Sequence, residues 1–204
     1  MFKDRRHAGE ILAIKLKAKY PKVENGVVLA LPRGGVVLGK IIAQKLALPL
    51  DVIVTRKIGA PENPEYAVAA VSEHELIISR RENPNQSYLK KEVAKERREI
   101  KRRLTVFRGP KPPVMIKNKN VFLIDDGLAT GLTMEAAILE VRRQKAAKIV
   151  LGVPVAPPEI AQRLSRQVDD MQILLIEPMF FAVGQFYESF RQINDQEVKD
   201  LMQD

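Results

Sequence analysis

The sequence predicts an α/β fold. Two observations carry the prediction: strand-like apolar runs alternate with helical patterns through most of the chain, and one of those runs, at 121–124, is apolar throughout before it turns through small residues into a helix. An uninterrupted apolar strand of that kind suits a parallel sheet covered on both sides.

The elements follow in order. Residues 7–20 set Ile11, Leu12, Ile14 and Leu16 at helical spacing, and Pro21 closes this first helix. A short apolar strand at 26–31 breaks at Pro32, Arg33, Gly34 and Gly35. Helical pattern resumes over 36–46, and 50–55 reads as a second buried strand. Gly59, Pro61 and Pro64 make 58–65 turn-rich. Residues 67–71 and 76–79 predict a hairpin across 72–75. A long charged helix spans about 87–107, with Leu89, Val93, Ile100, Leu104 and Phe107 on one face, and the Gly109 and Pro110 pair stops it. Next come a strand at 121–124, a turn at 125–131 and a helix at 132–144. Strands at 148–153 and 172–176 flank a short helix near 159–165. An aromatic cluster (Phe180, Phe181, Phe186, Tyr187, Phe190) precedes a final helix from Asp195. No repeat or low-complexity tract interrupts this order. A single domain over 1–204 is the economical reading, with a core at about 22–178 and a small cap from 1–21 and 179–204.

Composition narrows the chemistry. The chain has no cysteine and two histidines, His7 and His74, which removes disulfides, thiolate chemistry and histidine metal clusters. Any metal would be a hard cation held by oxygen, such as Mg²⁺ beside phosphates. No apolar run reaches membrane-spanning length and no charged-then-apolar leader opens the chain, so a cytoplasmic protein is expected. The net charge of +9 is concentrated. Residues 80–119 hold fourteen Lys or Arg against four Glu, and the remainder is close to neutral.

Residues 121–133 are the most informative stretch. Asp125 and Asp126 follow the apolar strand, where ligands bind in open α/β sheets. Gly127, Ala129 and Gly131 let backbone N–H groups approach an anion. Thr130 and Thr133 add hydroxyl donors, and the next helix points its N-terminus at the same spot. A phosphate held there leaves an attached sugar over the two carboxylates, which accept hydrogen bonds from hydroxyls. No Gly-rich loop closes on Lys followed by Ser or Thr, and no G-x-G-x-x-G follows a strand, so the commoner nucleotide loops are disfavoured.

This stretch closely resembles the signature with which type I phosphoribosyltransferases bind 5-phosphoribosyl 1-pyrophosphate (PRPP): apolar strand, acidic pair, small residues, Thr-Gly-x-Thr. The resemblance implies their fold, a central, mostly parallel twisted sheet with helices on both faces and a small hood from the terminal segments. Asp125 and Asp126 would bind the ribose hydroxyls and, through PRPP, its Mg²⁺. Residues 129–133 would cradle the 5′-phosphate. Gly127 stands where the family more often has a branched aliphatic residue. Leu31, Pro32, Arg33, Gly34 and Gly35 resemble the family's pyrophosphate loop, with Arg33 as the cation and both glycines as N–H donors. Arg56 and Lys57, read as ending the second strand, lead into 58–65, the place of the family's flexible catalytic loop. The run 56–65, the Asp4 and Arg5 start and the 183–187 tail are similar to a poorly characterised subgroup of the family, and the likeness spans nearly the whole chain.

The activity so implied is transfer of the 5-phosphoribosyl group of PRPP to a nitrogenous base with release of pyrophosphate. Arg33, Lys57 and Mg²⁺ would stabilise the leaving group, and no protein nucleophile is needed. Ala129 replaces the acid that sits near the purine in hypoxanthine–guanine members. Phe180, Phe181, Phe186 and Tyr187 either stack the base or pack the terminal segments on the core. Family members are commonly homodimers. The alternative is a PRPP-sensing regulator of the same fold that binds nucleic acid through 80–119, a segment equally readable as a solvated helix face.

Overall fold

Residues 1–80 and 82–203 are described by the structure, a computed structural model. Arg81, in the predicted basic segment, and Asp204, at the end of the predicted cap, lie outside the described residues. In chain order the strands are β1 (Gly26–Ala30), β2 (Leu50–Val52), β3 (Arg56–Gly59), β4 (Ala67–Val71), β5 (Leu76–Ile78), β6 (Asn120–Ile124), β7 (Lys148–Ala156) and β8 (Asp170–Ile176). The helices are α1 (Arg5–Lys19), α2 (Gly34–Leu46), α3 (Gln86–Arg108), α4 (Leu132–Arg143), α5 (Pro158–Ser165) and α6 (Asp195–Gln203).

Five strands form one sheet in the order β2-β1-β6-β7-β8, every neighbouring pair parallel. Alternate side chains of these strands feed two cores. Leu29, Leu123 and Leu151 pack with Met134, Ile138 and Leu164 of α4 and α5. Val28, Phe122 and Val150 face the other way, onto Leu12, Leu16, Leu38 and Ile42 of α1 and α2. Both sheet faces are therefore covered, which is why the strands carry apolar residues at successive positions. The predicted α/β architecture with helices on both faces is present.

Helix starts fall earlier than periodicity alone predicts because capping, not burial, sets them. The Asp4 carboxylate accepts the His7 N–H at 2.8 Å, so α1 begins at Arg5. The Asn85 side chain does the same for Ser87 and Tyr88 at the start of α3.

The second predicted strand needs correction. It ends at Val52, and Arg56–Gly59 is a separate strand, so Arg56 and Lys57 open β3 rather than close β2. β3 pairs antiparallel with β4, and β4 with β5, in a second, three-stranded sheet. Burial of Ile58 against α3 drives this pairing. The turn-rich segment is then the 60–66 connection, which carries its own bonds from Ala60 N–H to Tyr66 and from Tyr66 N–H to Asn63.

The basic helix α3 buries Leu89, Ile100, Leu104 and Phe107 as its pattern predicts, and also Glu96. Glu96 is tolerated there because Arg56 donates to it at 2.7 Å. The predicted Glu99–Arg103 pair is present at 2.7 Å, and Arg102 shares the same carboxylate. Arg108 is held by Asp51 of β2. Lys90, Lys91, Arg98 and Lys101 remain exposed on the helix. Among the described residues, no helix is long and apolar enough to cross a membrane.

The two ends of the chain meet. Phe2 forms a parallel bridge with Tyr187, and its N–H donates to the Phe186 carbonyl at 2.8 Å.

Candidate active site

β1 and β6 lie side by side in register, Ala30 opposite Ile124, but their helices lead away in opposite directions: α2 to β2, α4 to β7. The chain order thus reverses between these two strands, and a crevice opens beyond their carboxyl ends. Both loops singled out in the sequence emerge there. They touch. A Cβ added to Gly35 would stand 2.8 Å from the Ile124 carbonyl oxygen and 3.0 Å from the Asp125 Cα; one on Gly34 would stand 1.8 Å from Asp126 Oδ2. At Gly35, where the obstacle is backbone, only glycine permits that approach. The same two residues open α2, where first-turn N–H groups have no partner within the helix.

The 125–133 turn is anchored at its middle. Leu128 is buried, and its N–H donates to the Val155 carbonyl at 3.0 Å, which leaves Ala129 and Thr130 exposed. Gly131 adopts a φ of 75°, which sends the chain into α4. Arg163 of α5 donates to the Thr130 carbonyl and so braces the loop from outside. Gly127 has its own steric reason: a Cβ there would lie 2.5 Å from Val183 of the C-terminal segment.

The two carboxylates differ. Asp126 Oδ2 accepts from Arg5 Nε at 2.6 Å, and the Tyr187 hydroxyl donates to the Asp126 carbonyl at 2.6 Å. Asp125 accepts its neighbour's backbone N–H at 2.8 Å. Desolvation and then the negative Asp126 push the Asp125 carboxyl well above its ordinary value. Burial, followed by the same Asp126 charge, pushes the Tyr187 hydroxyl up as well.

Other predicted site residues are placed apart from this contact. The Arg33 guanidinium lies 3.7 Å from Asp195 at the start of α6. Lys57 donates to Glu65 across the 60–66 loop at 2.6 Å, and Arg56 to Glu96. A cleft of about 470 Å³ separates the end of that loop from the 125–133 turn, with Tyr66, Ala67 and Arg80 on one side and Ala129, Thr130 and Arg163 on the other.

Residues 5–190 match the family model described as the phosphoribosyl transferase domain. The chain belongs to the phosphoribosyl transferase family. It is 37% identical over 203 residues to Rv0571c of Mycobacterium tuberculosis H37Rv, itself named only provisionally as a phosphoribosyl transferase. That alignment covers 97% of this chain and 45% of the mycobacterial protein, so the chain spans about half the length of the curated relatives it matches. Among solved structures it resembles TT1426 of Thermus thermophilus, at 40% identity and a TM-score of 0.82 over 98% of this chain and 97% of that one. It shares its fold with a purine phosphoribosyltransferase of Pyrococcus horikoshii, at 18% identity and a TM-score of 0.50 over 93% of this chain and 92% of that one.

Within this phosphoribosyl transferase domain the four predicted aromatic residues divide. Phe186 and Tyr187 are 8% and 5% exposed and join the core beside Phe2. Phe180 packs on Phe186 with ring centroids 5.0 Å apart, while Phe181 projects, 87% exposed. Two residues escaped the sequence reading as contributors to the site, Arg5 and Arg163. Arg163 carries no local signal. Arg5 carried one, the Asp4 and Arg5 start, but its target is 121 positions away.

Proposed function

We propose that this chain transfers the 5-phosphoribosyl group of PRPP to a nitrogenous base and releases pyrophosphate. The observation that supports this most directly is the contact between the two loops, in which Gly34 and Gly35 lie against Asp125 and Asp126 across the point where strand order reverses. The 129–133 amides and the α4 N-terminus suit the 5′-phosphate. Asp125 and Asp126 suit the ribose hydroxyls, and the first turn of α2 with Arg33 suits the pyrophosphate. The C1–O bond to pyrophosphate breaks with its electron pair leaving on oxygen, and a base nitrogen forms the new C1–N bond. Positioning and charge stabilisation then supply the catalysis. In the free protein Arg33 faces Asp195 and Lys57 faces Glu65, so substrate must compete with both carboxylates for these cations.

The acidic donors at the crevice are an adjacent pair, Asp125 and Asp126, and no cluster of three or more metal-binding side chains occurs among the described residues. Such a pair fits Mg²⁺ carried on PRPP and met through the sugar hydroxyls. When bound, Mg²⁺ neutralises charge on the leaving pyrophosphate. Of the four aromatic residues singled out in the sequence, Phe180 and Phe181, at the edge of the C-terminal segment, are the two left outside the buried core and so able to meet a base. The regulator reading draws less support, because Arg102, Arg103 and Arg108 of the basic helix are engaged by carboxylates of the chain itself.

Incubation with PRPP, Mg²⁺ and a panel of purine, pyrimidine and pyridine bases tests the transferase reading. At least one base should release pyrophosphate well above the base-free rate. Silence with every base contradicts it.

A further inference from the structure

Arg5 is a buried cation in the first turn of a helix, and neither feature favours the fold. Its residue is 9% exposed, and a positive side chain at a helix N-terminus opposes the helix dipole. An apolar residue would fill the space at lower cost, since burying a guanidinium is tolerated only when it is paired and hydrogen-bonded. Its partners explain its presence. Nε donates to Asp126 Oδ2 at 2.6 Å, Nη1 donates to the Arg191 carbonyl at 2.7 Å, and the guanidinium carbon lies 3.7 Å above the Phe190 ring. The Gly34 Cα–H edge faces the same pair: an added Cβ would sit 2.6 Å from Arg5 Nε. One side chain thus joins α1, the 125–133 loop, the pyrophosphate-side turn and the C-terminal segment.

Resting on the functional reading above, we infer that Arg5 is a positioning residue: it holds Asp126 for the ribose and makes sugar binding depend on the seating of the 187–191 segment. Asp126 must present a carboxylate oxygen in one orientation to bind a ribose hydroxyl. Arg5 holds Oδ2 at 2.6 Å, which restricts how the carboxylate can turn and so which way it can present its other oxygen. Phe190 and the Arg191 carbonyl hold the guanidinium from the far side, and the Tyr187 hydroxyl holds the Asp126 backbone. Displacing that segment therefore frees both ends of the aspartate.

Calorimetric titration of the full chain with ribose 5-phosphate, and separately with Mg-pyrophosphate, tests this. Arg5→Met keeps the apolar stem and removes the charge; its affinity for ribose 5-phosphate should fall about tenfold or more. Pyrophosphate affinity should stay within about twofold of the parent, because that ligand does not use Asp126. Arg5→Lys restores a cation without the planar fork and should recover part of the loss. Phe190→Leu, which leaves the ion pair chemically intact, should weaken ribose 5-phosphate about threefold with no effect on pyrophosphate. Equal loss of both ligands in the Arg5 variants, no rescue by lysine, or an unchanged Phe190→Leu overturns the inference. If the parent chain binds pyrophosphate but no ribose 5-phosphate, the functional reading falls first and takes this inference with it.

Discussion

Two carboxylates share the tip of β6, and their surroundings give them different chemistry. Asp126 has Arg5 at 2.6 Å, whereas Asp125 is desolvated beside a negative neighbour and its carboxyl is pushed well above its ordinary value. A carboxyl raised in this way contributes stability that is complete below its unfolded value and is lost as pH climbs through the folded one. Asp125→Asn removes that loss while keeping an acceptor for the Asp126 N–H. The melting temperature of the variant relative to the parent should therefore rise as pH climbs from the ordinary aspartate range, about 4, toward neutral, even as ribose 5-phosphate affinity falls. A difference that stays flat across that range contradicts the assignment. At this scale the sequence was informative where chemistry is local. The acidic pair, Gly127, Gly131 and both threonines are legible because one short turn holds them, and Gly34 and Gly35 because a second does. Arg5 stood out only in the resemblance of the Asp4 and Arg5 start, because neither its burial nor its distant partner leaves a mark beside it in the chain.

At the scale of elements, the antiparallel sheet is held against α4 by a buried carboxylate. Glu140 of α4 accepts from the Ser72 hydroxyl at 2.8 Å and from the His74 N–H at 3.0 Å, both in the β4–β5 turn, and from Arg143 and Gln144 of its own helix end. Burial pushes its carboxyl up, but the hydrogen bonds from Arg143, Gln144, Ser72 and His74 outweigh it and hold the group at about 2. Further along, Ala70 packs on Leu132 and Ala136, which sets the hairpin against the first turns of α4. Glu140→Gln should cost about 2 kcal/mol in urea unfolding at neutral pH, a figure reduced for the solvent that reaches His74 and Arg143. A lowered carboxyl stabilises above its unfolded value and ceases to as pH falls through its folded one, so the deficit should shrink from about pH 4.5 downward. A deficit independent of pH contradicts the charge-based account. The hairpin was legible from two short apolar runs, 67–71 and 76–79, flanking the 72–75 turn. β3 was not: Arg56, Lys57 and Gly59 are poor strand formers, and only pairing with β4 and burial of Ile58 extend them.

For the whole molecule, strand order places chemistry that lies some ninety positions apart in sequence into one crevice. The Pro32 to Gly35 turn and the 125–133 turn meet because β1 and β6 are neighbours and their helices depart to opposite sides. Local patterns predicted the elements and the two turns separately; the strand order that joins them is given by the fold, since no local pattern encodes which strands pair. The charge distribution was legible as a total but not as an effect, because Glu96, Glu99 and Asp51 take up cations that composition counts as free. The central claim is that this crevice grips a phosphorylated pentose at both ends. Crystals soaked in ribose 5-phosphate measure it directly. The phosphate should lie against the 129–133 amides at the start of α4, with the sugar hydroxyls on Asp125 and Asp126. Density for the sugar phosphate at another place on the molecule, or none at a saturating concentration, would contradict it.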